Sequence, residues 1–474
     1  MKTKNAHQIH ITPLPSEDRS APLRISVIGT GYLGATHAAA MAELGFDVIG
    51  VDTDPTKIAA LERGEVPFFE PGLPELISRH VETGRLSFTT DLRAAVQASD
   101  VHFICVGTPQ HPSSHAADLR FVDAATRAVA ESLGHDGLIV GKSTVPVGTA
   151  ARLREMVAAT ASPAVHAELI WNPEFLREGL AVEDTLRPDR VVIGGASPWA
   201  EERMRHVYGT AIAAGAPFVA CDLPTAELVK VSANAFLATK ISFINAIAGL
   251  CEKADADVSV LADAIGYDAR IGRKFLNAGL GFGGGCLPKD IRALMHRAGE
   301  LGAYSAVKLM QQVDEINMDQ RQRVMDITLS ALGGSVLNAR VAVLGAAFKP
   351  DTDDVRDSPA LNVAAALHLR GALVTIYDPA AGPTAKRIFP TLSYADRMDD
   401  AVRGADIVLV LTEWEEFRAA DPARVGALVE RRAVVDARNC LPAESWQDEG
   451  WAYWGLGRLG TASAAEVGSR VKAA

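Results

Sequence analysis

Short runs of consecutive apolar residues, each ending at a glycine, hydroxyl or acidic break, punctuate the first part of the chain. Leu23–Ile28, Phe46–Val51, Asp100–Val106, Leu138–Lys142 and the AELI run before Trp171 read as strands. Their apolar residues are continuous rather than alternating, as in parallel strands buried on both faces. The run ATHAAAMAELG between the first two reads as a helix closed by Gly45. After Leu223 the pattern changes. From Thr225 through NAIAGLCEKA no helix breaker appears, which predicts one helix of about 30 residues. A second helical stretch runs from Tyr304 to near Leu332 and stops at Gly333-Gly334. Apolar runs then return at Arg340–Leu344, Leu373–Tyr377, Asp406–Leu411 and Ala433–Val435.

The first strand leads directly into Gly29-Thr30-Gly31-Tyr32-Leu33-Gly34, then a helix, a second strand and Asp52. A G-x-G-x-x-G turn in that strand–helix–strand setting is a dinucleotide fingerprint. Gly29 makes the tight turn, Gly31 lets a pyrophosphate approach, and Gly34 lets the helix pack on the strand. Asp52 accepts from ribose hydroxyls and repels a 2′-phosphate, which favours NAD; Lys57 nearby leaves NADP open. In the third part, Gly345-Ala346-Ala347-Phe348-Lys349-Pro350 lacks the second and third glycines, so no second dinucleotide is expected there. The organisation predicted is α/β, with two Rossmann-like parallel-sheet domains joined by a central all-helical domain containing one long helix. The boundaries are a disordered arm over 1–22, a dinucleotide-binding domain over 23–222, a helical domain over 223–334 and a second sheet domain over 335–474.

Candidate chemistry concentrates in Gly281-Phe282-Gly283-Gly284-Gly285-Cys286-Leu287-Pro288-Lys289-Asp290. Pro288 suits a first helical turn, so Cys286 stands at a helix start, a setting that favours thiolate over thiol. Asp290, four residues on, shares its helix face. A nucleophilic cysteine, a nearby carboxylate and glycines that admit a substrate fit covalent catalysis; a glycine-rich turn before a buried cysteine fits the same residues. Thr108, Ser143 and Thr144 follow strand ends, where ligands of open parallel sheets bind. Glu174 and Glu178 stand four apart after another strand, and Lys230 and Asn234 four apart on the long helix. Lys349, Arg356 and Arg438 follow strands of the last third and suit phosphate oxygens or the solvent surface equally.

Composition narrows the class. Of 474 residues, 48% are hydrophobic and 22% charged, which is ordinary for a soluble globular chain. The net charge of −11 argues against general nucleic-acid binding. Uninterrupted apolar runs are too short to span a membrane, and residues 1–22 lack the apolar core of a secretion signal. The five cysteines, Cys105, Cys221, Cys251, Cys286 and Cys440, form no C-x-x-C pair. Neither a disulfide framework nor a zinc site is expected, and a reducing cytoplasm suits them.

The motifs GTGYLG, STVPVG, NPEFLREG, ELVKVSANAFLATKISFINAIAGLCE, ARIGRKFL, GFGGGCLPKD and AFKPDTDDVRDSP resemble those of the UDP-glucose/GDP-mannose dehydrogenase family from about Leu23 to the last sheet. The resemblance implies two successive NAD-dependent oxidations at the sugar C6, through a thiohemiacetal and thioester on Cys286. It gives Lys230 an oxyanion-stabilising role, Asp290 that of a base acting with water, Thr144 and Glu174 the placing of hydrolytic water, and Asn234 a substrate amide. It places Gly29, Gly31, Tyr32, Leu33, Gly34, Asp52, Lys57, Thr108, Thr144, Glu178, Cys286 and Arg356 around NAD. It places Glu174, Phe175, Leu176, Lys230, Asn234, Phe275, Leu276, Gly283, Phe348, Lys349 and Arg438 around the sugar nucleotide, and sends Arg270 to a neighbouring subunit's substrate. A homo-oligomer built on the long helix, a dimer or an assembly of dimers, is implied too. Leu287 stands where many members carry Phe, and the Cys-Leu-Pro form also occurs on the GDP-mannose side. The Lys230 helix and ARIGRKFL resemble the UDP-glucose branch and outweigh it. The alternatives are GDP-mannose or a UDP-N-acetylhexosamine as substrate, or a non-catalytic NAD-binding sensor.

Overall fold

The computed structural model describes residues 23–111 and 113–458. The arm expected over 1–22 lies outside the described residues. The first sheet contains β1 (Arg24–Ile28), β2 (Asp47–Val51), β3 (Leu86–Thr89), β4 (Val101–Ile104), β5 (Gly137–Gly141), β6 (Ala167–Trp171), β7 (Val191–Gly194) and β8 (Phe218–Cys221). Its order is β3-β2-β1-β4-β5-β6-β7-β8. All pairings are parallel except β6 with β7, which meet antiparallel at Trp171 and Gly194. The second sheet contains β9 (Arg340–Leu344), β10 (Leu373–Tyr377), β11 (Ser393–Tyr394), β12 (Ile407–Val410), β13 (Ala433–Asp436) and β14 (Ala452–Gly455). It is wholly parallel, in the order β11-β10-β9-β12-β13-β14.

Apolar side chains cover both faces of the first sheet, which explains why β4, β5 and β7 are buried along their whole length. Strand order reverses between β1 and β4 in the first sheet and between β9 and β12 in the second. Crevices outside the strand ends at such reversals are where α/β proteins bind ligands. Gly29–Gly34 follows β1, and Gly345–Lys349 follows β9.

Between the sheets runs the helix Leu223–Lys253, 31 residues long, or about 46 Å. Asp222 caps it by accepting from the Thr225 amide at 2.7 Å, and Pro224 lies in its first turn. By length and apolar content alone this helix meets the requirement for crossing a membrane. Here it packs instead on β7, on the helix Leu287–Glu300 and on the helix Tyr304–Ala331. Its inward face also buries Glu227, Lys230 and Asn234. Its outward face carries Phe236, Phe243 and Leu250, seven residues apart and 64%, 49% and 62% exposed in the single chain.

Candidate active site

The turn after β1 is shaped by contacts that exclude a side chain at two of its three glycines. Gly29 has φ +92°, and a Cβ there would lie 3.0 Å from the Val106 backbone. A Cβ on Gly34 would lie 1.7 Å from the Gly29 carbonyl oxygen. At Gly31 nothing stands within 4 Å, so this face is open to a ligand. Asp52 accepts from the Thr30 amide at 2.9 Å and from Lys57 Nζ at 2.7 Å. Burial by itself would raise the Asp52 pKa, but Lys57 and the Thr30 and Asp54 amides bring it below the usual value. Lys57 is thus occupied by the same carboxylate that discriminates between ribose and its phosphate. The open glycine face and the ionised Asp52 fit NAD.

Three other residues expected at the cofactor have partners within the chain. The Tyr32 hydroxyl donates to Glu70 and accepts from the Gly179 amide at 3.1 Å. Leu33 packs against the core of the first sheet. Thr108 donates its hydroxyl to the Thr144 carbonyl at 2.8 Å.

The long helix, the end of β6 and the start of the helix Leu287–Glu300 bring the reactive groups together. Lys230 Nζ pairs with Glu174 Oε1 at 2.8 Å, both side chains largely buried. Glu174 Oε2 accepts from the Leu176 amide at 2.6 Å. The Phe175 ring lies 5.8 Å from the Lys230 ammonium. One turn along, Asn234 Nδ2 donates to Asp290 Oδ2 at 2.7 Å, and Lys289 Nζ donates to Asp290 Oδ1 at 2.7 Å. Thr144 shares with Lys289 and Asp290 a void of about 20 Å³, about the size of one water.

Burial opposes the charge on both members of the Lys230–Glu174 pair, yet each is ionised by the other. Burial alone would lower the Lys230 pKa; Glu174, Cys286 and Asp290 raise it above the ordinary value. Burial alone would raise Glu174; Lys230 foremost, then the Leu176 amide, lower it. Cys286 departs from the sequence expectation. It does cap its helix, with Pro288 in the first turn. However, burial first, then Glu174, Asp290 and Glu178, push its thiol up to about 12 against the pull of Lys230. The residue nonetheless keeps an exposed surface. Burial, reinforced by the converging carboxylates, sets the direction.

The glycines before Cys286 are held by protein neighbours. A Cβ on Gly281 would meet Asn317 Oδ1 at 2.3 Å, on Gly283 the Asp357 carbonyl oxygen at 2.4 Å, and on Gly284 the Phe348 ring at 2.8 Å. A Cβ on Gly285 would meet the Arg356 guanidinium at 2.2 Å. Three of these four neighbours come from the β9 loop, whereas the sequence suggests room for substrate. Arg438 ties the loops together, donating to the carbonyls of Gly281 at 2.8 Å, Leu411 at 2.8 Å and Phe348 at 3.2 Å.

Beside this loop opens a cavity of about 620 Å³. Phe275, Leu276, Gly283, Phe348, Lys349 and Arg438 line it, as do Arg273 and Asn277 from the same stretch as Phe275, and Ser259, Arg418 and Asn439, to which the sequence reading assigned no role. Arg273 lies inside the ARIGRKFL motif itself, as its second arginine. Arg270 lies elsewhere, exposed and paired with Asp268 at 2.6 Å. Glu178 is buried against Arg356 at 3.2 Å, and its backbone carbonyl accepts from Lys349. Burial and Asp354 raise Glu178 to about 7 against Arg356 and Lys349. Burial lowers the Lys349 pKa despite Glu178. Burial would also lower Arg356, but Asp354 and Glu178 raise it.

Three family models cover most of the chain. Residues 23–212 match the NAD binding domain of the UDP-glucose/GDP-mannose dehydrogenase family, 224–319 its central domain and 342–443 its UDP binding domain. UDP-glucose 6-dehydrogenase of Rhizobium meliloti is 44% identical over 92% of this chain and 100% of its own length. UDP-glucose 6-dehydrogenase TuaD of Bacillus subtilis is 42% identical, over 92% and 93%. The solved structure of a UDP-glucose dehydrogenase from the archaeon Pyrobaculum islandicum, 37% identical, superposes with a TM-score of 0.85 over 94% of this chain and 100% of that one. A UDP-D-ManNAc dehydrogenase from Pyrococcus horikoshii, 26% identical, superposes with a TM-score of 0.80 over 92% and 99%.

Proposed function

Because the chain belongs to the UDP-glucose/GDP-mannose dehydrogenase family, we propose that it oxidises the C6 hydroxyl of UDP-glucose to the carboxylate of UDP-glucuronate, a precursor of uronate-containing polysaccharides. It is an NAD-dependent oxidoreductase. The observation that carries the assignment is the meeting of Cys286 with the Lys230–Glu174 and Asn234–Asp290 pairs, beside a cavity of about 620 Å³. We assign residues 23–222 to NAD binding, 223–334 to catalysis and subunit contact, and 335–474 to the sugar nucleotide. The two sheets, over Arg24–Cys221 and Arg340–Gly455, and the helices between them support that division.

Bound at the Gly29–Gly34 turn, NAD supplies the hydride acceptor for each of two oxidations. The residues of the chain do the rest. Asp290, through a water, takes the proton of the C6 hydroxyl in the first oxidation. Cys286 Sγ then adds to the aldehyde carbon. A C–S bond forms and the thiol proton ends on the new hydroxyl, so a thiol raised to about 12 need not ionise freely first. The Lys230 ammonium faces the developing oxyanion, a contribution of about a hundredfold or more. A thiohemiacetal carbon is tetrahedral and can lose hydride, which a bare aldehyde carbonyl cannot. Its oxidation leaves a thioester. Water positioned by Glu174 and Thr144 adds to that carbonyl, the C–S bond breaks, and sulfur regains a proton. One alcohol, one water and two NAD give one carboxylate, two NADH and three protons.

The outward stripe Phe236, Phe243 and Leu250 supports a dimer built on the long helix, and Arg270, free of the chain's own cavity, would face its partner. Five free thiols support a cytoplasmic location. The test is NADH formed per UDP-glucose consumed, for wild type and Cys286→Ser. Two per sugar from wild type, with the variant stalled, is expected. One per sugar with an indifferent variant, or turnover only of GDP-mannose or a UDP-N-acetylhexosamine, overturns the assignment.

A further inference from the structure

Directly after β5 stands Lys142, a buried lysine the mechanism above does not use. Its ammonium donates to Asn172 Oδ1 at 3.0 Å and to the Tyr208 hydroxyl at 3.1 Å, both neutral. The Tyr208 hydroxyl donates to the same Asn172 oxygen at 2.7 Å, and Asn172 Nδ2 donates to the Val192 carbonyl at 2.8 Å. Aromatic rings complete the surroundings, Phe103 at 5.9 Å and Tyr208 at 5.7 Å. Buried charges are ordinarily paired, yet no carboxylate among the described residues forms an ion pair with Lys142. Three carboxylates share a cavity with it, Glu174, Asp184 and Asp189; Asp184 is paired with Arg177, and Glu174 is the one that also meets Lys230. Lys142, Asn172, Tyr208 and Glu174 line one cavity of about 40 Å³, room for an ordered water between polar groups.

We propose that Lys142 is a positioning residue for hydrolysis of the thioester: its charge, set behind Asn172 and the shared cavity, holds Glu174 as the anion that accepts a hydrogen bond from the attacking water. This rests on the reading above, in which Glu174 places that water. In the step itself the water oxygen bonds to the thioester carbonyl carbon and its proton passes to Asp290. The C–S bond then breaks, and sulfur leaves with the electron pair and takes up a proton.

Glu174 is faced by Lys230 from the long helix, Cys286 from the start of the helix Leu287–Glu300, Cys105 after β4 and Lys142 after β5. Asp184, Asp189 and Arg190 stand across the cavity. Burial raises the Glu174 pKa; Lys230, the Leu176 amide and Lys142 lower it, in that order. Removing the Lys142 charge therefore raises it, and hydrolysis begins to fail at a higher pH on the acid side.

The test is single turnover with enzyme in excess over UDP-glucose and NAD saturating, quenched in acid, with intact mass reporting a UDP-glucuronyl adduct on Cys286. Lys142→Gln keeps a donor to Asn172 but loses the charge. Its hydrolysis is expected to slow about tenfold or more, with the adduct accumulating. Its acid limb is expected to move to higher pH, while the first oxidation keeps its rate. Lys142→Met should repeat this, so that a folding failure in one variant leaves the other. Tyr208→Phe removes a hydrogen bond from the same network without a charge and should leave the limb in place. An unmoved limb and no adduct in Lys142→Gln or Lys142→Met overturns the proposal, as does a Tyr208→Phe limb that moves equally far. Failure of the wild type to form the adduct or two NADH would instead refute the underlying reading.

Discussion

Replacing Lys230 by Met separates the two jobs of the buried ammonium. Its side chain is 6% exposed and that of Glu174 12%, with 2.8 Å between charges. At an effective dielectric of 20 the attraction is about 6 kcal/mol before desolvation, and breaking such a pair typically costs about 3–5 kcal/mol. Protonation sets a ceiling. Stranded Glu174 can always take up a proton, which at pH 7 costs about 1.4 kcal/mol for each of the roughly 2.7 units separating it from a free glutamate's pKa near 4.3. The electrostatic loss at pH 7 is therefore at most about 3.7 kcal/mol. The sign follows. In the variant the folded pKa of Glu174 lies above its unfolded value, so the deficit is full above the raised pKa and shrinks as the pH falls toward 4.3. The assay is the urea midpoint of wild type, Lys230→Met and Lys230→Met/Glu174→Gln at pH 7 and pH 5, with slopes compared. The double variant should regain most of the lost stability, while NADH formation stays depressed a hundredfold or more in both. A deficit equal at both pH values, with no rescue by Glu174→Gln, would refute the buried pair as the cause.

Glu178, raised to about 7 by burial and Asp354, contributes stability that is complete below its unfolded pKa and lost as pH rises through about 7. The wild-type urea midpoint should therefore fall more between pH 5 and pH 8 than that of Glu178→Gln; parallel profiles would count against it. Phe243→Asp, at the centre of the outward stripe, should convert a dimer to monomers in analytical ultracentrifugation. An unchanged sedimentation coefficient would remove the long helix from the interface.

What the sequence disclosed was mostly local. The turn Gly29–Gly34, with its strand, helix and Asp52, is written in one short stretch of sequence, and at Gly34 the demand is local, since a Cβ there would meet the Gly29 carbonyl. The long helix was legible from an unbroken run, and its start at Leu223 follows from Asp222 and Pro224. Strands β3, β7, β8, β11 and β14 escaped notice. They are short, and β8 is scarcely buried, so their pairing rather than their composition makes them strands. The antiparallel contact of Trp171 with Gly194 is equally invisible in a pattern that otherwise announces parallel strands. The thiol of Cys286 was misjudged for the same reason. Its helix N-terminus is a local feature, but the burial that chiefly raises the thiol is made by the whole fold, and Glu174 and Glu178 reach it from more than a hundred positions away.

The glycine loop has a consequence for how the protein comes into being. Its backbone is fitted against Phe348, Arg356 and Asp357, and pinned by Arg438, all of them later in the chain than the cysteine. Domains fold in the order of synthesis, so a ribosome that has delivered Cys286 has not yet delivered the surface that shapes its loop. The loop around Cys286 is therefore shaped late, and a chain terminated before Phe348 would carry the cysteine without the neighbours that hold its glycines.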